Sequence, residues 1–248
     1  MSRCAPADVL VVIPAFNEAD ALPGLLDELA QRQRRGDRPL DVLVVDDGSS
    51  DATAHVARAR GVRVVRLPFN LGVGGAVRTG LRYASDNGIG RVVVIDADGQ
   101  HDPADIDALL DALDDGAEMA IGSRFAPGAA GYEMGHTRRR AQRFLNWVVR
   151  KTTGFPATDA TSGFRAFDRP SIEFLADRYP VEYLADTVEV IVLARGAGQT
   201  VVEVPVGMRQ RQAGVPSSRS VTLLINYLRL LVGILGTAFV GRRERRAG

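Results

Sequence analysis

Val92-Val93-Val94-Ile95-Asp96-Ala97-Asp98-Gly99-Gln100-His101-Asp102-Pro103 is the stretch from which the fold can be read. A β-branched run ends in two carboxylates one residue apart, followed at once by a turn glycine. Pro103 comes next, and Ile106, Leu109, Leu110 and Leu113 then recur at helical spacing. Strand, tight turn and helix in this order are the unit of an open α/β sheet, whose ligands gather outside the carboxyl ends of the strands. Asp96 and Asp98 at such an end can hold a hard divalent cation that also touches a phosphate-bearing substrate, and Gln100 adds an amide oxygen. The plainer account is a surface loop in which Asp102 caps a helix with Pro103 at its first position.

The chain before this stretch repeats the unit. Residues 9–13 read as a strand and 19–34 as a helix with Leu22, Leu25, Leu26 and Leu29 on one face. A strand at 42–45 leads into Asp46-Asp47-Gly48-Ser49-Ser50-Asp51, where Ser50 or Asp51 caps a helix to about residue 60. A third strand, 62–67, runs into Asn70-Leu71-Gly72-Val73-Gly74-Gly75 and a helix over 76–85. Regular βαβα alternation predicts a mostly parallel sheet with helices on both faces. Beyond the helix after Pro103 the pattern changes. A strand at 118–121 ends in Gly122-Ser123-Arg124, and a small-residue loop leads to a basic helix over 137–153. Then come the segment Asp159 to Phe167, helices near 171–177 and 186–194, and two strands split by Pro205 (200–204 and 206–208). One domain spanning residues 1–220 is expected, with 221–248 as a C-terminal amphipathic helix and basic tail.

At 248 residues with 46% hydrophobic and 25% charged residues, the chain can bury a full core. The net charge of +1 is unevenly spread. Residues 138–151 carry six positive charges and no negative one, leaving the remainder acidic. A local basic block on an acidic protein suits an anionic surface better than diffuse nucleic-acid binding, and no nucleic-acid partner is expected. Cys4 alone cannot build a disulfide framework. The first apolar run is strand-length and stops at Pro14, so it is not a secretory leader. Residues 221–240 are long and apolar, but Arg229 sits near their centre, which favours an interfacial or core-packed helix over a spanning one.

The segments 14–18, 46–51, 70–75 and 96–100 each follow a strand and precede a helix, so a doubly wound sheet brings all of them to one rim. Three carry carboxylates. A rim that negative calls for a cation bridging to phosphates, together with hydrogen-bond donors on a ribose or base. No Gly-x-Gly-x-x-Gly follows the first strand, which argues against a dinucleotide oxidoreductase. A nucleotide-binding scaffold without turnover remains a different class, and it would need Asp96 and Asp98 to be idle.

Val12-Ile13-Pro14-Ala15-Phe16-Asn17-Glu18, Val45-Asp46-Asp47-Gly48-Ser49-Ser50-Asp51, Asp96-Ala97-Asp98-Gly99-Gln100-His101 and Ser162-Gly163-Phe164-Arg165 resemble glycosyltransferase family 2. The subgroup resembled is that of dolichyl- or polyprenyl-phosphate mannosyl- and glucosyltransferases, over roughly residues 9–214. The resemblance implies a GT-A fold, a UDP- or GDP-sugar donor, Mg²⁺ or Mn²⁺, and inversion at the anomeric carbon. It puts Pro14, Phe16, Glu18, Asp47 and Gly72 with Asp96 against the donor nucleotide. Asp96, Asp98 and Gln100 become the metal ligands. Arg124, Arg138, Gln142, Ser162, Arg165 and Arg211 face the acceptor phosphate. Gln142 stands where the subgroup often has serine, and Val73 where many relatives carry lysine. The Arg211–Ser218 loop keeps an Arg-x-x-Gly-x-x-Ser spacing without the lysine often found there.

A lipid phosphate acceptor is an anion already and needs little base, so arginines would serve to bring two anions together. A saccharide or other hydroxyl acceptor, the alternative in cell-envelope glycan synthesis, needs a general base. Asp159, Asp186 and Glu189 are the candidates, with Asp186 equally placed to cap the helix that follows. Asp98 and Arg165 complete the catalytic set. His101 is expected to order its loop rather than bind metal. Trp147 and Phe144 among the arginines of the basic helix resemble a membrane-surface element. Together with residues 221–248 they predict a protein held peripherally on the cytoplasmic face of the membrane.

Overall fold

The computed structural model describes residues 8–35, 38–129, 134–181 and 186–209, without the side chains of residues 137 and 138. Its elements are β1 (Val9–Ala15), α1 (Leu22–Arg34), β2 (Asp41–Asp46), α2 (Thr53–Ala59), β3 (Arg63–Arg66), α3 (Val73–Asp86) and β4 (Arg91–Val94). A 3₁₀ turn (Pro103–Asp105), α4 (Ile106–Asp114), β5 (Met119–Ser123), α5 (His136–Thr153), β6 (Arg165–Asp168), α6 (Arg169–Leu175), α7 (Asp186–Gly196) and β7 (Val201–Pro205) follow. The strands form one sheet in the order β3-β2-β1-β4-β6-β5-β7. The pairs among β1 to β4 are parallel, as is β5 with β7, whereas β6 is antiparallel to both of its neighbours.

The apolar runs are continuous because both faces of the sheet are covered. On β1, Leu10 and Val12 point into one core while Val9, Val11 and Ile13 point into the other; on β4 and at the residue after it, Val92 and Val94 oppose Val93 and Ile95 in the same way. The first core is closed by α3, α5, α6 and α7 through residues such as Leu81, Leu145, Ile172 and Val188. The second is closed mainly by α1 and α4 through Leu25, Leu29, Leu109 and Leu110.

Three expectations need correction. The helix expected at 76–85 begins at Val73, so the glycines read as a turn form its first turn. Residues 206–208 form no strand, only a single bridge between Met208 and His101. Residues 165–168, not expected as a strand, are β6, which lies between β4 and β5. That insertion has a consequence for the site. Because β6 runs antiparallel, its first residue, Arg165, pairs with Val94 at the carboxyl end of β4. The loop before β6 therefore lands on the Asp96 turn. Residues 210–248, with Arg211 and the predicted C-terminal helix, lie outside the described residues, as does the predicted domain boundary between 220 and 221.

Candidate active site

The loops after β1 and β2 are tied together by short polar side chains. The Asn17 N–H donates to Ser49 Oγ (3.0 Å), the Glu18 N–H to Thr53 Oγ1 (2.9 Å) and the Ala19 N–H to Asp51 Oδ2 (3.2 Å). Asn17 adopts φ 54°, and its Oδ1 accepts from the Ser50 N–H at 2.9 Å. An asparagine tolerates this left-handed conformation because its side chain bonds locally. Asp51 accepts the Thr53 N–H at 2.9 Å, so the predicted capping role exists one residue before the N-cap proper. Pro14 is buried below this loop and Phe16 is 45% exposed above it.

Asp47 binds the next loop. Its two oxygens accept the N–H groups of Leu71 (2.7 Å) and Gly72 (2.8 Å), so its carboxylate shapes the entry to α3. Gly72 takes φ +84° there, a conformation glycine adopts without Cβ strain. Burial raises the Asp47 pKa and the two amide bonds work against that rise. Asp46, fully buried, accepts the Ser49 N–H at 2.9 Å and has Arg66 Nε 3.2 Å away.

At the end of β4, Asp96 is 37% exposed while Asp98 is buried, with its Oδ1 accepting the Gln100 N–H at 3.0 Å. Gln100 donates its amide Nε2 to the Arg209 carbonyl (3.4 Å), and the Arg209 N–H returns to the Gln100 carbonyl (2.8 Å). His101 is buried with its ring 5.0 Å from that of Phe164 and Nε2 3.7 Å from Asp96 Oδ2, which is the loop-ordering part expected of it. Asp102 accepts the Ala104 N–H at 2.9 Å ahead of Pro103, as a cap should. Among the described residues no group of three or more His, Cys, Asp or Glu side chains makes a closed cage. A hard cation of the magnesium type takes one or two carboxylates and completes its shell with phosphate and water, so Asp96 and Asp98 as an all-oxygen pair fit it.

The far wall of the site is built from arginines held in place. Arg124 sets its fork on Asp159, with Nε 2.6 Å from Oδ2 and Nη2 2.7 Å from Oδ1, and Nη2 also reaches Thr161 Oγ1 at 3.1 Å. Asp159 is fully buried and also accepts from Gln142 Nε2 at 3.2 Å. Gln142 and Asn146, one turn apart on α5, both turn to this segment, Asn146 giving Nδ2 to the Thr158 carbonyl at 2.6 Å. The side chain of Arg138, next along the same face, lies outside the described residues.

Arg165 is 1% exposed and gives hydrogen bonds to the carbonyls of Ser162 (2.8 Å), Ala160 (3.2 Å) and Thr187 (2.6 Å). Its Nη1 makes no hydrogen bond within the described residues. Ser162 is buried too, with its Oγ accepting from the Phe164 N–H. Beside Arg165 stands Asp186, the first residue of α7, 2% exposed. Burial pushes its carboxyl up to about 6, offset in part by the Arg165 charge and the Thr187 N–H and reinforced by Asp96. Burial likewise drives the Tyr179 hydroxyl well above its ordinary range. Glu189 is half-buried one turn further along α7.

Sequence reasoning missed Glu203. Its oxygens accept the N–H groups of Thr158 (2.8 Å) and Asp159 (2.8 Å) and the Thr158 hydroxyl (2.5 Å). A lone acid inside Val201-Val202-Glu203-Val204 was the signal, because a carboxylate on a covered sheet face must be bonded.

Sheet order, antiparallel β6 and a carboxylate rim at the parallel strand ends define a GT-A type nucleotide-sugar transferase fold. The chain belongs to glycosyl transferase family 2, whose family model matches residues 10–175. It is 33% identical over 213 residues to the polyprenol monophosphomannose synthase of Mycolicibacterium smegmatis, covering 83% of this chain and 79% of that one. It is 34% identical over 158 residues to the undecaprenyl-phosphate mannosyltransferase of Micrococcus luteus, covering 62% and 63%. Among solved structures, glucosyl-3-phosphoglycerate synthase of Mycobacterium tuberculosis in complex with Mg²⁺ and UDP superposes with a TM-score of 0.69 at 22% identity, over 93% of this chain and 78% of that one. The same enzyme has been solved with Mn²⁺ and UDP (TM-score 0.68, 20% identity). At that identity the likeness speaks for the fold.

Proposed function

We propose that the protein is an inverting hexosyltransferase that moves a sugar from a nucleoside-diphosphate donor, UDP- or GDP-linked, to a polyprenyl or dolichyl phosphate at the membrane surface. The observation that carries this is the meeting of two unlike walls. The Asp96–Asp98 rim lies at the carboxyl end of β4, and the loop leading to Arg165 is brought against it by antiparallel β6. The similarity to enzymes named for polyprenol and undecaprenyl phosphate supports the acceptor class.

In this scheme the loops after β1, β2 and β3, with Pro14, Phe16, Glu18, Asp47 and Gly72, hold the nucleotide. Asp47 acts there mainly by fixing the Gly72 turn. Asp96, Asp98 and the Gln100 amide oxygen hold Mg²⁺ or Mn²⁺. When bound, that ion neutralises the charge gathering on the leaving diphosphate. Arg165, whose Nη1 makes no hydrogen bond within the described residues, supplies positive charge on the acceptor side, and Arg124, paired with Asp159, lines the same wall. Both are held by hydrogen bonds within the fold, so little reorganisation is needed during reaction. Ser162, Gln142, Arg138 and Arg211 extend that wall.

Attachment to the cytoplasmic face rests on α5. His136, Arg139, Arg140 and Arg143 line one hollow, and Phe144 (41% exposed) stacks on Trp147 (54% exposed) with ring centroids 6.0 Å apart. No helix among the described residues is long and apolar enough to cross a membrane.

A second reading is favoured by one observation. A carboxyl titrating at about 6, as Asp186 does, is suited to act as a general base toward a hydroxyl acceptor. The two are separated by incubating the full chain with UDP- and GDP-sugars, Mg²⁺ or Mn²⁺, and either a short polyprenyl phosphate or a set of sugar and glycerate hydroxyl acceptors. Mass analysis of the products is the readout. Glycosylated polyprenyl phosphate is expected; products confined to the hydroxyl acceptors would transfer the assignment to the second reading.

A further inference from the structure

We infer that Glu203 is a positioning residue for the acceptor side of the site, acting through Thr158 and Asp159 to aim the Arg124 guanidinium. Its relevance to acceptor use rests on the function proposed above for Arg124; its effect on Arg124 does not.

The argument begins with strand alternation. Val202 and Val204 of β7 pack on the core beneath α4, and Val201 packs on the opposite one, so Glu203 points with Val201 toward the α5 side. Register puts Glu203 beside Ile121 on β5, two residues before Ser123. From there the carboxylate reaches the turn before β6 and takes both of its leading N–H groups and the Thr158 hydroxyl.

The other polar backbone groups of that turn are also taken. The Thr158 carbonyl accepts from Asn146 and Gln142, the Ala160 N–H donates to Asn146 Oδ1 at 3.0 Å, and the Ala160 carbonyl accepts from Arg165. The Asp159 carbonyl accepts the Ser162 N–H at 3.2 Å. Asp159 therefore stands on a turn whose position is determined from several sides, and Glu203 is the carboxylate that takes its two leading N–H groups.

Proton counting gives Glu203 a second hold on Arg124. A carboxylate can only accept, so the Thr158 hydroxyl must donate to it. Thr158 Oγ1 lies 2.6 Å from Ser123 Oγ, and its own proton is already committed, so Ser123 is the donor in that pair. Ser123 Oγ then accepts the N–H groups of Phe125 (3.2 Å) and Ala126 (3.0 Å), just past Arg124. One carboxylate thus orders both the aspartate that grips the Arg124 fork and the turn that carries its backbone. Glu203→Gln keeps the size but puts an NH₂ where donors converge. Thr158→Val breaks the relay, and Thr158→Ser keeps it.

Two measurements test this on the full chain. The first needs no turnover: the Arg124 Nε–H, observed in ¹⁵N-arginine-labelled protein, should exchange slowly in the wild type and in Thr158→Ser. It should exchange at least tenfold faster in Glu203→Gln and Thr158→Val while backbone amide protection elsewhere is kept. Unchanged Arg124 exchange in both variants overturns the inference.

The second is kinetic, with the nucleotide sugar and acceptor that the incubation proposed above identifies. Glu203→Gln and Thr158→Val should lower kcat/KM for the acceptor by about ten- to a hundredfold, the scale of a misplaced contact group. The donor KM should stay the same and Thr158→Ser should restore activity. The loss should also vanish in an Arg124→Ala background, since both changes act through one group. An equal further loss in that background overturns the inference. If Arg124→Ala and Glu203→Gln instead shift the donor KM together, the acceptor role of Arg124 fails and its positioning by Glu203 stands.

Discussion

Gly163 and Asp96 share one space: a Cβ on Gly163 would stand 2.8 Å from Asp96 Oδ2 and 3.0 Å from Oδ1. The loop before β6 can approach the β4 rim this closely only because the residue facing Asp96 has no side chain. Gly163→Ala is therefore expected to leave the fold intact, since a carboxylate end can swing aside, and to displace Asp96 from its present direction. The apparent affinity for Mn²⁺ should fall, with transfer partly recovered at high metal concentration. Metal titration of activity alongside far-UV circular dichroism checks this; an unchanged titration curve would mean that Asp96 is not a ligand.

Asp98 differs from Asp96 in being buried, with one oxygen on the Gln100 amide. Asp98→Asn preserves shape and can keep that bond, but would remove an anionic donor from the proposed cation site. Transfer should drop by about a hundredfold or more, the scale on which preorganised charge at a leaving group acts. The melting temperature should change little. Metal-dependent turnover within a few-fold of the wild type would remove Asp98 from the site.

Much of the parallel half was legible because its strands are buried on both faces and end in turns with strong local chemistry, as 92–103 illustrates. Where packing overrides local preference, the sequence misleads. Gly74 and Gly75 look like helix breakers, yet they lie in the first turn of α3, where a Cβ at Gly74 would lie 2.2 Å from the Pro180 carbonyl and one at Gly75 would meet Leu71, so close packing asks for glycine there. Arg165-Ala166-Phe167-Asp168 is too short to show a strand period, and only its pairing with β4 and β5 makes it one. The arginines proposed to face the acceptor could be named from motifs. Their partners could not: Arg124 meets Asp159 across 35 residues and Glu203 reaches Thr158 across 45, and no local pattern encodes such pairings.

Asp186 should leave a mark on the pH dependence of stability. Its folded-state carboxyl is raised to about 6 from 3.8, chiefly by burial. Between those values the unfolded chain has released the proton and the folded chain still holds it, so stability falls as pH rises through this window and levels off above it. At 1.36 kcal/mol per pKa unit the loss is at most about 3 kcal/mol. Asp47, Asp105 and Asp168 are also raised by burial and slope the same way, so the wild type must be compared with a variant. Asp186→Asn should show a flatter decline in melting temperature from pH 4 to pH 6.5. Parallel curves would mean that Asp186 titrates normally. If Asp186 is also the base for a hydroxyl acceptor, the acidic limb of kcat near pH 6 disappears in the same variant.

The outer face of α5 makes the membrane proposal testable residue by residue. Phe144 and Trp147 are stacked and about half exposed, on a helix with no acidic residue and basic side chains on either side of the pair. Bringing half of each aromatic out of water contributes about 1 kcal/mol apiece. Phe144→Ser with Trp147→Ser should thus weaken binding to anionic liposomes by about tenfold or more. The arginines act through charge, each worth roughly 1 kcal/mol against an anionic leaflet and screened by salt. The variant should therefore keep a salt-sensitive remainder, whereas Arg140→Glu with Arg143→Glu should lose binding most at low salt. The charge-reversal pair Arg242→Glu and Arg243→Glu, in the tail beyond the described residues, gauges the share of the C-terminal segment. Flotation of the full chain with phosphatidylglycerol vesicles at low and high salt gives the answer. Binding unaffected by the α5 changes would take that face off the membrane, and binding that resists salt and carbonate would mean that a segment outside the described residues inserts.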